Sequence, residues 1–199
     1  MATLEEAIDL AVTELDRPDA VDLARRKAIA ALQICHGAHR FTKDLVAGSD
    51  ITINASGITT VALPSKFRTI QTIVAFDGDG NELQVVAKQK VLGMLTEQFD
   101  AIPPLQYLIA GGSCTIYTAS YAGIDHCKLY YYELPEVTVD PDTARVSSTS
   151  WILTDYEQLY IDCLVWQVAK SLGLKDKVAD YLESFKFSLG QIIQANPVY

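Results

Sequence analysis

Cys35, His36 and His39 lie within five residues, and Cys35 and His39 have the i, i+4 spacing that sets two metal-binding side chains on one helix face. A metal site needs more ligands than that, and the remaining histidine, His126, adjoins Cys127 in a strand-like stretch. A Cys35–His39 nucleophilic dyad lacks an Asp or Asn that the sequence marks as its orienter. Asp77-Gly78-Asp79-Gly80-Asn81-Glu82 begins as a calcium loop begins. Glu82, however, stands at the sixth position where glycine is needed, and Lys88 at the twelfth where a bidentate Glu is needed, so a hairpin turn is predicted instead. The cysteines, Cys35, Cys114, Cys127 and Cys163, are widely spaced within apolar patterns and form no C-x-x-C pair. They are expected to be buried free thiols. No catalytic residue, cofactor-binding residue or metal ligand is expected.

Two further groups are candidates for contact rather than catalysis. Arg25-Arg26-Lys27 is the densest basic run, but on a helix it spreads over about 200° of arc, so it forms no single patch. It suits a solvated face, a salt-bridge set or part of a channel lining. Tyr130-Tyr131-Tyr132 alternates across a strand, leaving Tyr130 and Tyr132 on one face as an expected contact surface.

The elements that hold these groups are legible from periodicity and punctuation. Thr3-Leu4-Glu5-Glu6 fits a capping box ahead of Leu4, Ile8, Ala11 and Leu15 at helical spacing. Pro18 opens a second predicted helix running to about Phe41, with a small-residue stripe of Ala24, Ala28, Ala31, Leu32 and Cys35. From Gly48 onward β-branched segments alternate with Asn, Ser, Gly and Pro. A helix is predicted over Val91, Leu92, Leu95 and Phe99, and strands around Leu105–Ala110, Cys114–Thr118 and Cys127–Tyr132. Thr154-Asp155-Tyr156-Glu157 reads as a second capping box opening a third helix that is apolar nearly all round, from Leu159 to Ala169. A helix of that kind lies at the centre of a bundle or under a neighbouring subunit, and Val165 and Trp166 are its candidate interface residues. Gly173 stops it, and a fourth helix shows the stripe Val178, Tyr181, Leu182, Phe185, Leu189 and Ile192, ending before Pro197. The expected fold is α+β: a helical bundle from N- and C-terminal helical hairpins (1–47 and 150–199) with a central β-rich lobe over 48–149.

With 199 residues, 49% hydrophobic and 21% charged, the chain can bury a sizeable core. A net charge of -9 opposes a protein whose main task is gripping nucleic-acid phosphates. No apolar run approaches the roughly 20 residues of a membrane span, and Met1–Glu6 lacks the basic start of a signal peptide, so a cytoplasmic chain with no membrane contact is expected.

His39-Arg40-Phe41, Leu63-Pro64-Ser65-Lys66-Phe67-Arg68, Trp151-Ile152-Leu153, Leu159-Tyr160 and Asp176 through Phe185 occur in an order that resembles the head-to-tail adaptor, or connector, proteins of tailed bacteriophages, including the tail tubular protein A group. The resemblance covers most of the chain, and it implies a structural virion protein and not an enzyme. It implies a homo-oligomeric ring, commonly of twelve copies, that meets the portal protein on one side and a tail or nozzle protein on the other. DNA would pass through without sequence-specific binding, and the protein would reside in the virion after assembly in the host cytoplasm. Ala195, Asn196, Pro197, Val198 and Tyr199 are the expected portal-docking segment, since Pro197 stops the amphipathic helix and Val198 and Tyr199 are apolar. Two alternatives stand beside this: another phage structural protein such as a tail-completion factor, or a small cytoplasmic enzyme built from dispersed Asp, Glu and Tyr.

Overall fold

The structure, a computed structural model, describes residues 3–90, 105–118, 123–143 and 145–195. In chain order the described elements are α1 (Leu4–Glu14), α2 (Val21–Gly37), β1 (Leu45–Thr52), β2 (Ile58–Ala62), β3 (Phe67–Phe76), β4 (Glu82–Leu83), β5 (Lys88–Gln89), β6 (Leu105–Ala110), β7 (Ser113–Thr118), β8 (His126–Glu133), β9 (Val137–Val139), β10 (Val146–Ser148), α3 (Trp151–Asp155), α4 (Glu157–Leu172) and α5 (Lys175–Ala195). Short 3-10 turns at Pro18–Ala20 and Thr42–Asp44 flank α2. The fold is α+β, and it forms two compact units: Met1–Asp44 with Leu134–Tyr199, and Leu45–Glu133. The helix expected around 91–99 lies outside the described residues.

The first unit is organised by α4. Its Leu159, Tyr160, Cys163, Leu164, Val165, Val168 and Ala169 are all buried, and α1, α2 and α5 each pack against it. The alanine stripe of α2 explains the close approach: with only methyl groups in the way, Tyr160 Oη donates to the Ala28 carbonyl at 3.2 Å, and Cys163 Sγ reaches the Ala31 carbonyl at 3.6 Å. α1 adds Leu4, Ala7, Ile8, Ala11 and Val12, and its capping box is complete, with Glu6 N–H donating to Thr3 Oγ1 at 3.2 Å and Thr3 N–H to Glu6 Oε2 at 2.6 Å. α5 buries only Phe185 and Ile192 fully, so it lies on the outside of this group. Gly173, at φ +73°, supplies the left-handed residue that lets α4 stop and α5 begin.

Several boundaries differ from the sequence reading, each for a physical reason. α2 ends at Gly37 rather than near Phe41, because the chain turns back through Thr42–Asp44 and brings Asp44 onto His36. Thr154 is not an N-cap: it lies inside α3, which is capped by Ser150 accepting the Ile152 N–H at 3.2 Å, and α4 starts after a break at Tyr156. Residues 134–149, read as part of the β-rich lobe, belong to the helical unit, where the β9–β10 ribbon is tied to α1 by the Val146 N–H donating to Glu5 at 3.0 Å.

The second unit holds two four-stranded sheets, ordered β1-β8-β3-β4 and β2-β7-β6-β5, antiparallel except for the β5–β6 pair. Ile70, Ile73, Ala75, Cys127 and Leu129 from the first share one core with Leu105, Cys114 and Ile116 from the second. β1 is bulged between Ala47 and Asp50, where Gly48 passes so close to β8 that a Cβ would sit 3.1 Å from the Leu129 carbonyl oxygen. The tyrosine run departs from simple alternation. Tyr131 and Tyr132 are both buried, because bulges shift the β3–β8 register and Tyr132 is held by Gln71 through its hydroxyl (3.0 Å) and lies 6.0 Å from the Arg68 guanidinium. Tyr132 therefore offers no contact surface, and Tyr130 is half-buried.

Candidate functional site

Where sequence reasoning looked for chemistry at Cys35 and His39, the structure assembles a different group. His36 Nε2 lies 2.7 Å from Ser150 Oγ, and its Nδ1 lies 2.9 Å from Asp44. Trp151 Nε1 also donates to Asp44, at 2.7 Å. These are the distances of a Ser–His–Asp relay. With Nδ1 protonated, donors run one way: the Ile152 N–H to Ser150, the Ser150 hydroxyl to His36, and His36 with Trp151 to the Asp44 carboxylate. A relay needs an accessible nucleophile, and Ser150 is only 4% exposed while His36 is 1% exposed. The Ser150 oxygen is also committed to capping α3. This group is a structural clasp that pins the end of α2 and the start of α3 to the residue preceding β1. Phe41 and Tyr156 pack edge-on to the Trp151 ring at 5.1 and 5.8 Å, and Lys43 pairs with Asp155 at 2.6 Å beside it.

The other candidates resolve in the same direction. The Asp77–Asn81 loop is a hairpin turn in which the Asn81 side chain and backbone, with the Asp79 N–H, donate to Asp77 and hold its carboxyl below the usual range. Among the described residues no group of three or more His, Cys, Asp and Glu is placed to hold a metal ion. All four cysteines are free and buried, and burial pushes the Cys114 thiol up to about 11 and that of Cys127 to about 12.

Arg25 is consumed within its own chain: its guanidinium pairs with Glu5 at 3.2 Å and approaches Asp22 at 3.7 Å. Arg26 is exposed, with Nε donating to the Asp22 carbonyl, and Lys27 is half-buried. Arg25 and Arg26 line a cleft of about 490 Å³ with Ile29, Val139 and Val146. Val165 is fully buried in the core of its own unit, so it has no surface to offer another copy, while Trp166 is half-buried and stacked on Phe185 at 6.1 Å. Ala195 lines a cavity of about 430 Å³ with Asp155, Gln158, Ser188 and Ile192, and Asn196 to Tyr199 lie outside the described residues. Sequence reasoning also missed Asp162, which is 1% exposed on α4 and accepts from Gln158 at 2.8 Å and Ser184 at 2.7 Å. The i, i+4 spacing of Gln158 and Asp162 was its one visible signal. Among the described residues no helix is long and apolar enough to cross a membrane.

A family model described as SU10 adaptor protein matches residues 2–198, and the chain belongs to that family. The family is one of phage structural adaptors without enzymatic activity, which makes the protein a component of the phage particle. No curated protein matches the sequence.

Proposed function

We propose that the chain is the subunit of a ring-shaped head-to-tail adaptor, of about twelve copies, seated between the portal and a tail or nozzle protein in the manner of the tail tubular protein A group. The observation that carries this reading is the family match over residues 2–198, nearly the whole chain. Within this reading, the ring assembles in the host cytoplasm, and residues 195–199 dock the portal. Its wall conducts DNA without sequence-specific contact. Twelve copies at -9 each carry on the order of a hundred negative charges, a field that repels phosphates and keeps a duplex sliding. Arg25 supports the repulsive wall over a gripping one, since Glu5 and Asp22 already neutralise it.

Mixing the full-length chain with the portal rings of its phage, and measuring mass and particle images, tests the assembly. A ring stacked coaxially on the portal is the expected result, and a chain that stays monomeric at all concentrations with portal present overturns it. A chain that binds assembled tails but not the portal would favour a tail-completion factor instead. Duplex DNA affinity tests the conduit: the expected outcome is no measurable binding even at low salt. Tight binding with a steep negative salt slope assigns the lining to Arg25, Arg26 and Lys27 instead.

A further inference from the structure

The two sheets of the Leu45–Glu133 unit end in four edges among the described strands, and natural proteins blunt such edges with brevity, charge, proline or bulges. β4 and β5 are two residues long. β1 carries the Ala47–Asp50 bulge, and Asp50 pairs with Lys128 at 3.3 Å. β2 has none of these devices. Its residues Ile58–Ala62 pair with β7 at five consecutive positions without a break and include no charge and no proline.

The hydrogen bonds flanking β2 show which groups its outer edge presents. Thr118 N–H donates to the Gly57 carbonyl at 2.8 Å, and Leu63 N–H donates to Gly112 at 2.9 Å. By antiparallel alternation, Thr59 and Val61 bond to β7, while Ile58, Thr60 and Ala62 turn N–H and C=O outward. Those of Ile58 are already used: its N–H donates to Ser56 Oγ at 3.4 Å, and its carbonyl accepts from Asn54 Nδ2 at 3.1 Å. Among the described residues nothing bonds the outward backbone groups of Thr60 and Ala62, both exposed residues, and Ile58 beside them is 50% exposed.

We propose that β2 is where a neighbouring copy of this chain adds a strand, an inference that rests on the ring reading and supplies its subunit contact. Main-chain donors and acceptors at Thr60 and Ala62 call for an extended polypeptide, with uncharged side chains to match Ile58, Thr60 and Ala62. A ring needs a head-to-tail contact between two different patches, because a β2–β2 pair would close a dimer and stop. Among the described strands, β1 is the only other edge strand longer than three residues. Its opening stretch Leu45–Ala47 is uncharged, and Leu45 is 37% exposed. The bulge before Asp50 ends the pairing there and fixes its register.

Hydrogen–deuterium exchange of the full-length chain, monomeric and in rings, reads both edges. Peptides covering Gly57–Leu63 and Leu45–Ala47 are expected to gain at least tenfold protection in rings of this chain alone. Thr60→Pro removes an outward N–H that β7 does not use, and Ala62→Lys puts a charge on the same edge. Both are expected to raise the concentration needed for assembly at least tenfold. If Thr60→Pro lowers the thermal midpoint, Ala62→Lys carries the test. Rings that leave β2 unprotected, or that form equally well from Ala62→Lys, overturn this proposal and leave the adaptor ring standing. Protection of β2 that appears only on adding portal or tail protein overturns the second-copy assignment. A wild-type chain that never forms rings, with or without portal, overturns both readings.

Discussion

Replacing Trp151 by Phe tests the clasp at its most exposed point. The substitution keeps an aromatic ring against Phe41 and Tyr156 but deletes the Nε1 donor that reaches Asp44 at 2.7 Å. Asp44 is 6% exposed, so water replaces that donor poorly. A hydrogen bond to a buried charged group contributes about 1.5–3 kcal/mol. The smaller ring forfeits about 1 kcal/mol of packing. Together these give a loss of about 2.5–4 kcal/mol, and at a urea slope of roughly 2 kcal/mol/M the midpoint falls by about 1–2 M. Trp151 and Trp166 are the protein's two tryptophans and both belong to the helical unit, so in the variant Trp166 fluorescence follows that unit alone. The control is a double-mutant cycle with Asp44→Asn, in which the pair is expected to couple by about 1 kcal/mol or more. A midpoint within about 0.2 M of wild type, or single-mutant effects that add to within about 0.3 kcal/mol, refutes the clasp as a source of stability.

The four thiols are expected to react slowly with a thiol reagent in the native state at pH 8, where burial keeps Cys114 and Cys127 protonated, and to titrate as four after denaturation without reductant; two or none would show disulfides. The backbone and hydroxyl of Thr3 hold the Glu6 carboxyl below its ordinary value of 4.5. A carboxyl lowered in the folded state stabilises it above the ordinary value and loses that contribution as pH falls through the lowered one. Glu6→Gln, which keeps an acceptor for the Thr3 N–H but removes the titrating carboxyl, is therefore expected to flatten the acid limb below pH 4.5 of a urea-midpoint profile; an unchanged limb counts against Glu6 as its source. Deleting Pro197–Tyr199 is expected to leave the far-UV spectrum and thermal midpoint unchanged and to weaken portal attachment at least tenfold in co-sedimentation. Full attachment by the truncated chain removes the docking role.

Local signals in this sequence were strong where the physics is local. The Thr3–Glu6 box, the Gly173 stop and the Asp77–Asn81 turn each depend on residues within one turn of chain, and each forms as its spacing dictates. The clasp was invisible for the opposite reason. His36 and Ser150 are separated by 114 residues, and nothing in either neighbourhood marks the other. The capping signal at Thr154 was real chemistry in the wrong competition. Ser150 offers an equivalent hydroxyl four residues earlier, and it prevails because Trp151 is drawn onto Asp44 and Phe41. Likewise the 134–149 segment has strand composition, but its assignment to the helical unit is set by the Val146–Glu5 contact to α1.

The burial of Val165 inside its own unit shows why a hydrophobic pattern alone does not find a subunit contact. An all-round apolar helix has two physical solutions, burial by its own chain or burial by a neighbour, and periodicity is identical in both. α1, α2 and α5 supply the first solution, so the apolarity of α4 is used up inside one subunit and says nothing about assembly. What distinguishes a surface for assembly is a valence left open after the subunit has folded. Side-chain hydrophobicity is a poor guide to that, since most of the surface of a folded protein is apolar in any case. Backbone donors and acceptors are a better guide, because secondary structure satisfies nearly all of them and the exceptions can be located. That reasoning moves the search from Val165 to the outward edge of β2, where Thr60 and Ala62 keep two donors and two acceptors facing outward. Strand addition at that edge would be made by neutral main-chain groups, so like charges elsewhere on two copies of this acidic chain would not need to approach closely.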